Sequence, residues 1–345
     1  MDKTNKPFII AGPCSVESYD QLREVTETLS RLSPVQLIRA GVWKPRTRPG
    51  AFEGLGEPAL RWMQSLAKEY KVRFCCEVAR PEHVALCLQH DIDTVWLGAR
   101  TTANPFMVEE ICHALRGSDM TVLVKNPVCP DARLWTGALE RLQQAGITRL
   151  MAIHRGFSMY HNNGYRNAPL WEVAMEFRRE MPDIPILCDP SHISGRRDLI
   201  ESLAMAAMQL DYDGLMVEVH PHPAEAWSDA DQQLDPSAFI AMLEHLTSFN
   251  RQLTDSDISY LTPLRQQIDD IDHEILRLMG QRMELSKQIA EVKHARQMSV
   301  YQSKRWEAVV ADRLRQAEAL GLRADFIKEM LEKIHAESIR VQLEK

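Results

Sequence analysis

No apolar run in this 345-residue sequence approaches the roughly 20 residues that a transmembrane helix requires. That speaks against a membrane partner, and MDKTNKPF followed by a short apolar run lacks the make-up of a signal peptide. CxxC pairs are missing as well. The seven cysteines are scattered and odd in number, which excludes a disulfide framework or a zinc ribbon and suits a reduced cytoplasm. Nor is there an excess of positive charge: 41 Lys and Arg stand against 48 Asp and Glu, for a net charge of -7. A nucleic-acid partner, which needs a clustered basic face to displace counterions, is not expected. GLGEP at 54–58 lacks the GxGxxG spacing of a dinucleotide loop.

What is present up to about residue 250 is alternation. Eight short apolar, β-rich runs stand at 8–12, 35–40, 72–78, 94–99, 121–126, 149–154, 185–190 and 214–220, separated by amphipathic segments. Their number and span predict an α/β fold, a (β/α)8 barrel, over residues 1–248. Residues 249–261 are polar and without a sustained period, which predicts a linker. Beyond Pro263 there is neither a proline nor a β-rich run, so residues 262–345 are expected to form a small all-α domain. Thr262-Pro263 reads as an N-cap followed by proline at the first helical position. Leu264, Ile268, Ile271, Ile275, Leu278, Leu285, Ile289 and Val292 then follow at helical spacing to about residue 296. Two shorter helices are expected at 302–319 and 324–343, broken by Gly321.

In a parallel barrel the strand ends open onto one face, where reactive groups gather. Those ends carry Arg39, Lys44, Arg46, Arg100, Lys125 and Arg155, cations without matched acids beside them in the sequence. Six at the ends of successive strands suit a pocket for phosphates and carboxylates. A second group is Cys14, His192, Glu218 and Asp229. On the stretch IIAGPCS alone, Cys14 reads as a small inert hydrophobe. With an imidazole and two carboxylates it suits a divalent transition metal such as Mn, Fe, Co or Zn, and a buried thiol, a core histidine and two solvated acids stand as the alternative.

GPCS (12–15), KPRT (44–47), GART (98–101), DPSH (189–192) and VEVHP (217–221) resemble, in order and position, the type I 3-deoxy-D-arabino-heptulosonate 7-phosphate (DAHP) synthases. The resemblance implies condensation of phosphoenolpyruvate with erythrose 4-phosphate. It puts the metal ligands at Cys14, His192, Glu218 and Asp229, and phosphoenolpyruvate at Arg39, Lys44, Arg100, Lys125 and Arg155. Erythrose 4-phosphate would lie on Pro45, Arg46 and Thr47. A cation would turn the Cys14 thiol into thiolate, and a place at a strand tip would leave its sulfur accessible. His220 and Glu77 are candidates for moving protons or for supporting the metal, and His222 reads as a loop histidine. The 8-phosphooctulosonate synthases, which take arabinose 5-phosphate, typically show a KANRSS-like segment where this chain has KPRT.

In the helical part Arg282 interrupts the apolar stripe, and an inward charge needs a partner. Lys293, 11 residues on, returns to nearly the same face about 16 Å along the axis, while Ser338 and Gln342 share a face of the last helix. A dimerising coiled coil is the plain reading of such a stripe. The segment LRQQIDDIDHEILRLMGQRMELSKQIAEVK, with VYQSKR and ES..VQ after it, resembles the all-helical chorismate mutases. That resemblance implies rearrangement of chorismate to prephenate at Arg265, Arg282, Lys293, Arg305, Ser338 and Gln342, with Lys293 and Gln342 on the ether oxygen. Gln302 and Trp306 depart from the family's usual acids. Arg265 lies about 25 Å down the helix from Arg282, too far for both to grip one small diacid, so a homodimer through this domain is expected. The mutase domain is further expected to sense prephenate for feedback on the barrel, the alternative being a silent dimerisation or ligand-sensing module.

Overall fold

The computed structural model describes residues 7–44, 50–160, 164–247 and 255–344. Its strands are β1 (Phe8–Gly12), β2 (Val35–Arg39), β3 (Phe74–Val78), β4 (Thr94–Leu97), β5 (Thr121–Lys125), β6 (Leu150–His154), β7 (Ile186–Cys188) and β8 (Gly214–Glu218). They pair in sequence order, all parallel, and the sheet closes where β8 meets β1. The near-continuous apolar runs fit this topology, because each strand is covered by the barrel interior on one face and by helices on the other. Every residue of β8 is buried. Closure depends on Gly214, where a Cβ would come within 2.0 Å of the Phe8 carbonyl oxygen.

The helices between strands start where the sequence offers caps. Ser18, Asn104 and Asp131 accept hydrogen bonds from first-turn amides, and Pro81, Pro105 and Pro190 open their helices where no N–H partner is needed. Several strands stop short of their apolar runs. β4 ends at Leu97, β7 at Cys188 and β8 at Glu218, and the segments that follow form the rim.

The chain divides into two compact units, Met1–Gln252 and Leu253–Lys345. The second consists of helices Asp255–Ala295, Ser303–Ala319 and Ala324–Leu343, the last packing against both others. The long helix starts inside the stretch expected to be a linker, and Pro263 lies within it. Thr262 is therefore no N-cap: its hydroxyl donates back to the Ile258 carbonyl at 2.8 Å. Proline is tolerated because its fixed φ is helical and it withdraws a single donor. Gly321, at φ 70°, ends the middle helix as expected.

The apolar stripe of the long helix is not buried within the chain. Ile268, Ile271 and Ile275 are each more than half exposed, and the unit's buried side chains include Ser286, Ala290, Ala317, Ile327 and Ser338. No helix among the described residues is long and apolar enough to cross a membrane.

Candidate active sites

The barrel rim encloses a cavity of about 370 Å³ lined by Lys44, Arg100, Lys125, Arg155 and Arg166, with Glu77, His192, Asn167 and Asp229 among them. Lys125 ends β5 and Arg155 follows β6, while Arg100 rides on the short helix Ala99–Thr102 after β4. Arg39 ends β2 but lies behind the cavity wall, 1% exposed. Pro45, Arg46 and Thr47 lie outside the described residues.

The expectation of cations without matched acids needs correcting. Arg39 pairs with Glu218 at 3.0 Å and lies 3.9 Å from Asp189. Lys125 pairs with Asp189 at 2.8 Å, and Lys44 is 4.0 Å from Asp229. Charges this far from water require partners. Asp189 is also the N-cap of the helix Pro190–Ser194, where it accepts from the His192 amide at 3.1 Å. Burial pushes its carboxyl up, yet His192, Lys125 and Arg39 hold it well below the usual carboxylate range. Arg155 differs from these cations. It donates to Asn167 Oδ1 at 2.7 Å and to the Gly156 carbonyl, and among the described residues it has no acid within ion-pair distance. Burial lowers its pKa to about 10.

The four expected metal ligands stand at this rim in two pairs. Cys14 Sγ is 3.1 Å from Asp229 Oδ2, and His192 Nε2 is 3.7 Å from Glu218 Oε1. Among the described residues no three His, Cys, Asp or Glu side chains form one metal-holding group. Each donor is engaged by a neighbour: Lys44 Nζ lies 2.7 Å from Cys14 Sγ, Arg166 donates to Asp229 at 2.8 Å, and Gln232 donates to Glu218 Oε2 at 2.6 Å. The donor chemistry nonetheless suits a transition metal, and Glu218 Oε1, which makes no hydrogen bond, faces His192 Nε2 as well as its ion-pair partner Arg39. His192 Nδ1 lies 2.8 Å from Asp189, and burial lowers the imidazole pKa, favouring the neutral ring that ligation requires. The Cys14 sulfur is not accessible as expected: it is fully buried, and burial pushes its thiol up to about 12.

His220 is committed to structure. Nδ1 accepts from the His222 amide at 3.0 Å, and Nε2 faces Glu17 at 3.4 Å. Glu17 in turn accepts from the Trp227 amide at 2.8 Å, which ties the loop carrying Asp229 to the segment after β1. His222 is exposed and faces Glu24 at 3.6 Å, as a loop histidine should. Sequence reasoning missed Arg166 and Asn167, because they lie in the loop beyond β6, well past a strand end. It also missed Trp96, whose place in an apolar run reads as core.

In the helical unit Arg282 donates to the Ser338 hydroxyl, and Lys293 to Gln342 Oε1 at 3.1 Å. Arg282 is exposed rather than buried, because three helices leave that side of the unit open. Its partners are neutral. Arg265 and Arg305 are exposed and make no hydrogen bond or ion pair with this cluster among the described residues. Trp306 stacks on His335 with ring centroids 4.0 Å apart.

Comparison with known proteins agrees with both halves of this picture. Residues 2–255 match the DAHP synthetase I family, and residues 264–343 match chorismate mutase type II. A phospho-2-dehydro-3-deoxyheptonate aldolase of Thermotoga maritima is 34% identical over 239 residues, 69% of this chain and 68% of its own length. A 2-dehydro-3-deoxyphosphooctonate aldolase of Desulfotalea psychrophila is 27% identical over 66% of this chain and 84% of its own. The crystal structure of the DAHP synthase from Thermotoga maritima superposes with a TM-score of 0.64 at 31% identity, covering 71% of this chain and 69% of that one. The chain belongs to the DAHP synthetase I family and carries a chorismate mutase type II domain behind its barrel.

Proposed function

We propose that the rim cavity binds phosphoenolpyruvate on Lys44, Arg100, Lys125 and Arg155, with Arg39 adding positive charge from behind its wall, and that Pro45, Arg46 and Thr47 receive erythrose 4-phosphate. The observation that carries this reading is Arg155, a cation at the cavity wall whose partners are neutral. A phosphate dianion supplies the charge that Asn167 cannot. The acids behind Arg39 and Lys125 keep those two cations in place before substrate arrives, so two mutually repelling anions are brought together without reorganisation of the site. The methylene carbon of phosphoenolpyruvate then attacks the aldehyde, water adds to the resulting cationic carbon, and phosphate leaves.

The family is generally dependent on a divalent metal, and Cys14, His192, Glu218 and Asp229 would hold it here, with Mn, Fe, Co and Zn the candidates. When bound, the ion supplies Lewis-acid polarisation of the aldehyde carbonyl. His220 and Glu17 support the reaction indirectly by fixing the loop that presents Asp229.

On the helical unit, Arg282, Lys293, Ser338 and Gln342 would clamp chorismate, with Lys293 and Gln342 stabilising charge on the ether oxygen. Arg265 and Arg282 share one continuous helix about 25 Å apart, so Arg265 would enter a site of the second subunit. The exposed stripe through Ile268, Ile271 and Ile275 supports a homodimer that covers it. Prephenate or chorismate held there would inhibit the barrel.

The test is phosphate release from phosphoenolpyruvate and erythrose 4-phosphate, with chorismate loss followed by absorbance in parallel. EDTA and Cys14→Ala are each expected to lower condensation more than a hundredfold and to leave chorismate loss within twofold. Prephenate is expected to slow condensation. Full condensation after chelation, or in Cys14→Ala, would sink the metal reading. Equal rates with and without prephenate would remove the feedback reading.

A further inference from the structure

Trp96 is the largest side chain at the centre of the rim chemistry, and neither resemblance gives it a role. It lies on β4 beside Glu77 of β3, its register partner, and is 1% exposed. Two cations sit over its ring: the Arg39 guanidinium carbon is 5.1 Å from a ring centroid, and Lys125 Nζ is 5.6 Å away. Both distances fall within cation–π range, and both cations are buried, where that attraction is strongest. The indole N–H meanwhile donates to Glu77 Oε2 at 3.1 Å. Glu77 is confined from its other side by Gly98, where a Cβ would come within 2.2 Å of Glu77 Oε1.

We infer that Trp96 is a positioning residue that fixes two functions through two separate parts of one ring. Its face holds Lys125, which binds phosphoenolpyruvate, and Arg39, whose charge supports that site from behind the cavity wall, and its N–H aims the Glu77 carboxylate into the cavity. Trp96 is not part of the cavity lining, whereas Glu77 and Lys125 are, so the indole acts through them. An acid in an anion pocket weakens ground-state binding. Its worth is realised where positive charge develops, as on the carbon that water attacks. The ring face therefore governs KM for phosphoenolpyruvate, and the N–H governs kcat. This inference rests on the reading of Lys125 as a phosphoenolpyruvate ligand, with Arg39 adding charge behind it.

Two variants of the full chain separate the parts. Trp96→Phe keeps an aromatic face and loses the donor, while Trp96→Gln keeps an N–H donor and loses the face. Trp96→Phe is expected to lower kcat about tenfold, the worth of one hydrogen bond to a charged group, with KM for phosphoenolpyruvate within twofold. Trp96→Gln is expected to raise that KM about fivefold and to hold kcat within threefold. The double variant Trp96→Phe with Glu77→Gln is expected to be no slower than Glu77→Gln alone, because the indole donor acts only through that carboxylate. Matching kcat and KM changes in the two single variants, or losses that multiply in the double variant, overturn the inference. If one variant fails to fold by circular dichroism, the other decides by which parameter moves. Lys125→Met tests the underlying reading by itself, since an unchanged KM for phosphoenolpyruvate there refutes the pocket assignment whatever Trp96 does.

Discussion

The barrel rim and the helical unit both gather cations, and they stabilise those cations in opposite ways. At the rim, Arg39 and Lys125 are buried against Glu218 and Asp189. On the helices, Arg282 and Lys293 meet a hydroxyl, an amide oxygen and backbone carbonyls. The difference follows from access to water. A charge fully enclosed by the barrel needs a partner, so Arg39 and Lys125 come with acids and are rigid before any ligand binds, whereas Arg155 stands at the cavity with neutral partners. An open helical face leaves Arg282 solvated and Lys293 half-buried, so neutral partners suffice. A barrel cation is consequently part of the fold, and a helical one can be removed at little structural cost.

The sharpest way to break this comparison is to take away one helical cation. Arg282→Ala is expected to lower chorismate loss about a thousandfold, the scale of a lost transition-state donor, while the melting temperature of the protein stays nearly unchanged. A large fall in melting temperature would put Arg282 in the same class as the rim cations. Next in size is the removal of a rim acid. Asp189→Asn leaves Lys125 and Arg39 short of a partner and is expected to cost about 3–5 kcal/mol, read as a lower urea midpoint for the barrel. A loss under about 1 kcal/mol would mean that the rim charges are solvated after all.

A pH titration sharpens the contrast between wet and dry surroundings. His154, enclosed by Trp135, Phe157, Trp171 and Tyr212, has its imidazole pushed down to about 3 by burial. A folded-state pKa below the ordinary 6.5 favours the neutral ring in the native state. The stability it contributes is thus complete above about pH 6.5 and lost as pH falls toward 3, at up to about 1.4 kcal/mol per pH unit. His154→Phe is expected to flatten urea midpoints measured between pH 6.5 and 4, and an unchanged slope would assign the acid sensitivity elsewhere. The smallest effect is expected for Ser338→Ala, which removes a neutral partner of the exposed Arg282 and is expected to shift helical-unit stability by no more than about 0.5 kcal/mol, read from the urea midpoint.

Much of the fold was legible because its signals are local. The run FIIAG and the run GLMVE each specify a strand without reference to the other, and Gly321 marks a helix end where only a left-handed residue fits. The helix start was misread at Thr262-Pro263 because a cap-and-proline pair looks the same inside a helix that tolerates it as at a true N-terminus. Arg282 with Ser338, and Lys293 with Gln342, could be paired from helical spacing and resemblance. Trp306 against His335 could not, since stacking leaves no periodic trace.

By itself the sequence determined the alternation of strand and helix, the unit of three helices, and which residues stand at strand ends, because hydrophobic period and turn chemistry act over a few neighbours. Only the tertiary structure decided what those ends do to one another. Lys125 and Asp189 are 64 positions apart, and Cys14 and Asp229 are 215 apart. Closing the barrel brings such groups within reach. Burial then makes each charge choose a partner, a choice that depends on distance in space and on the loss of water.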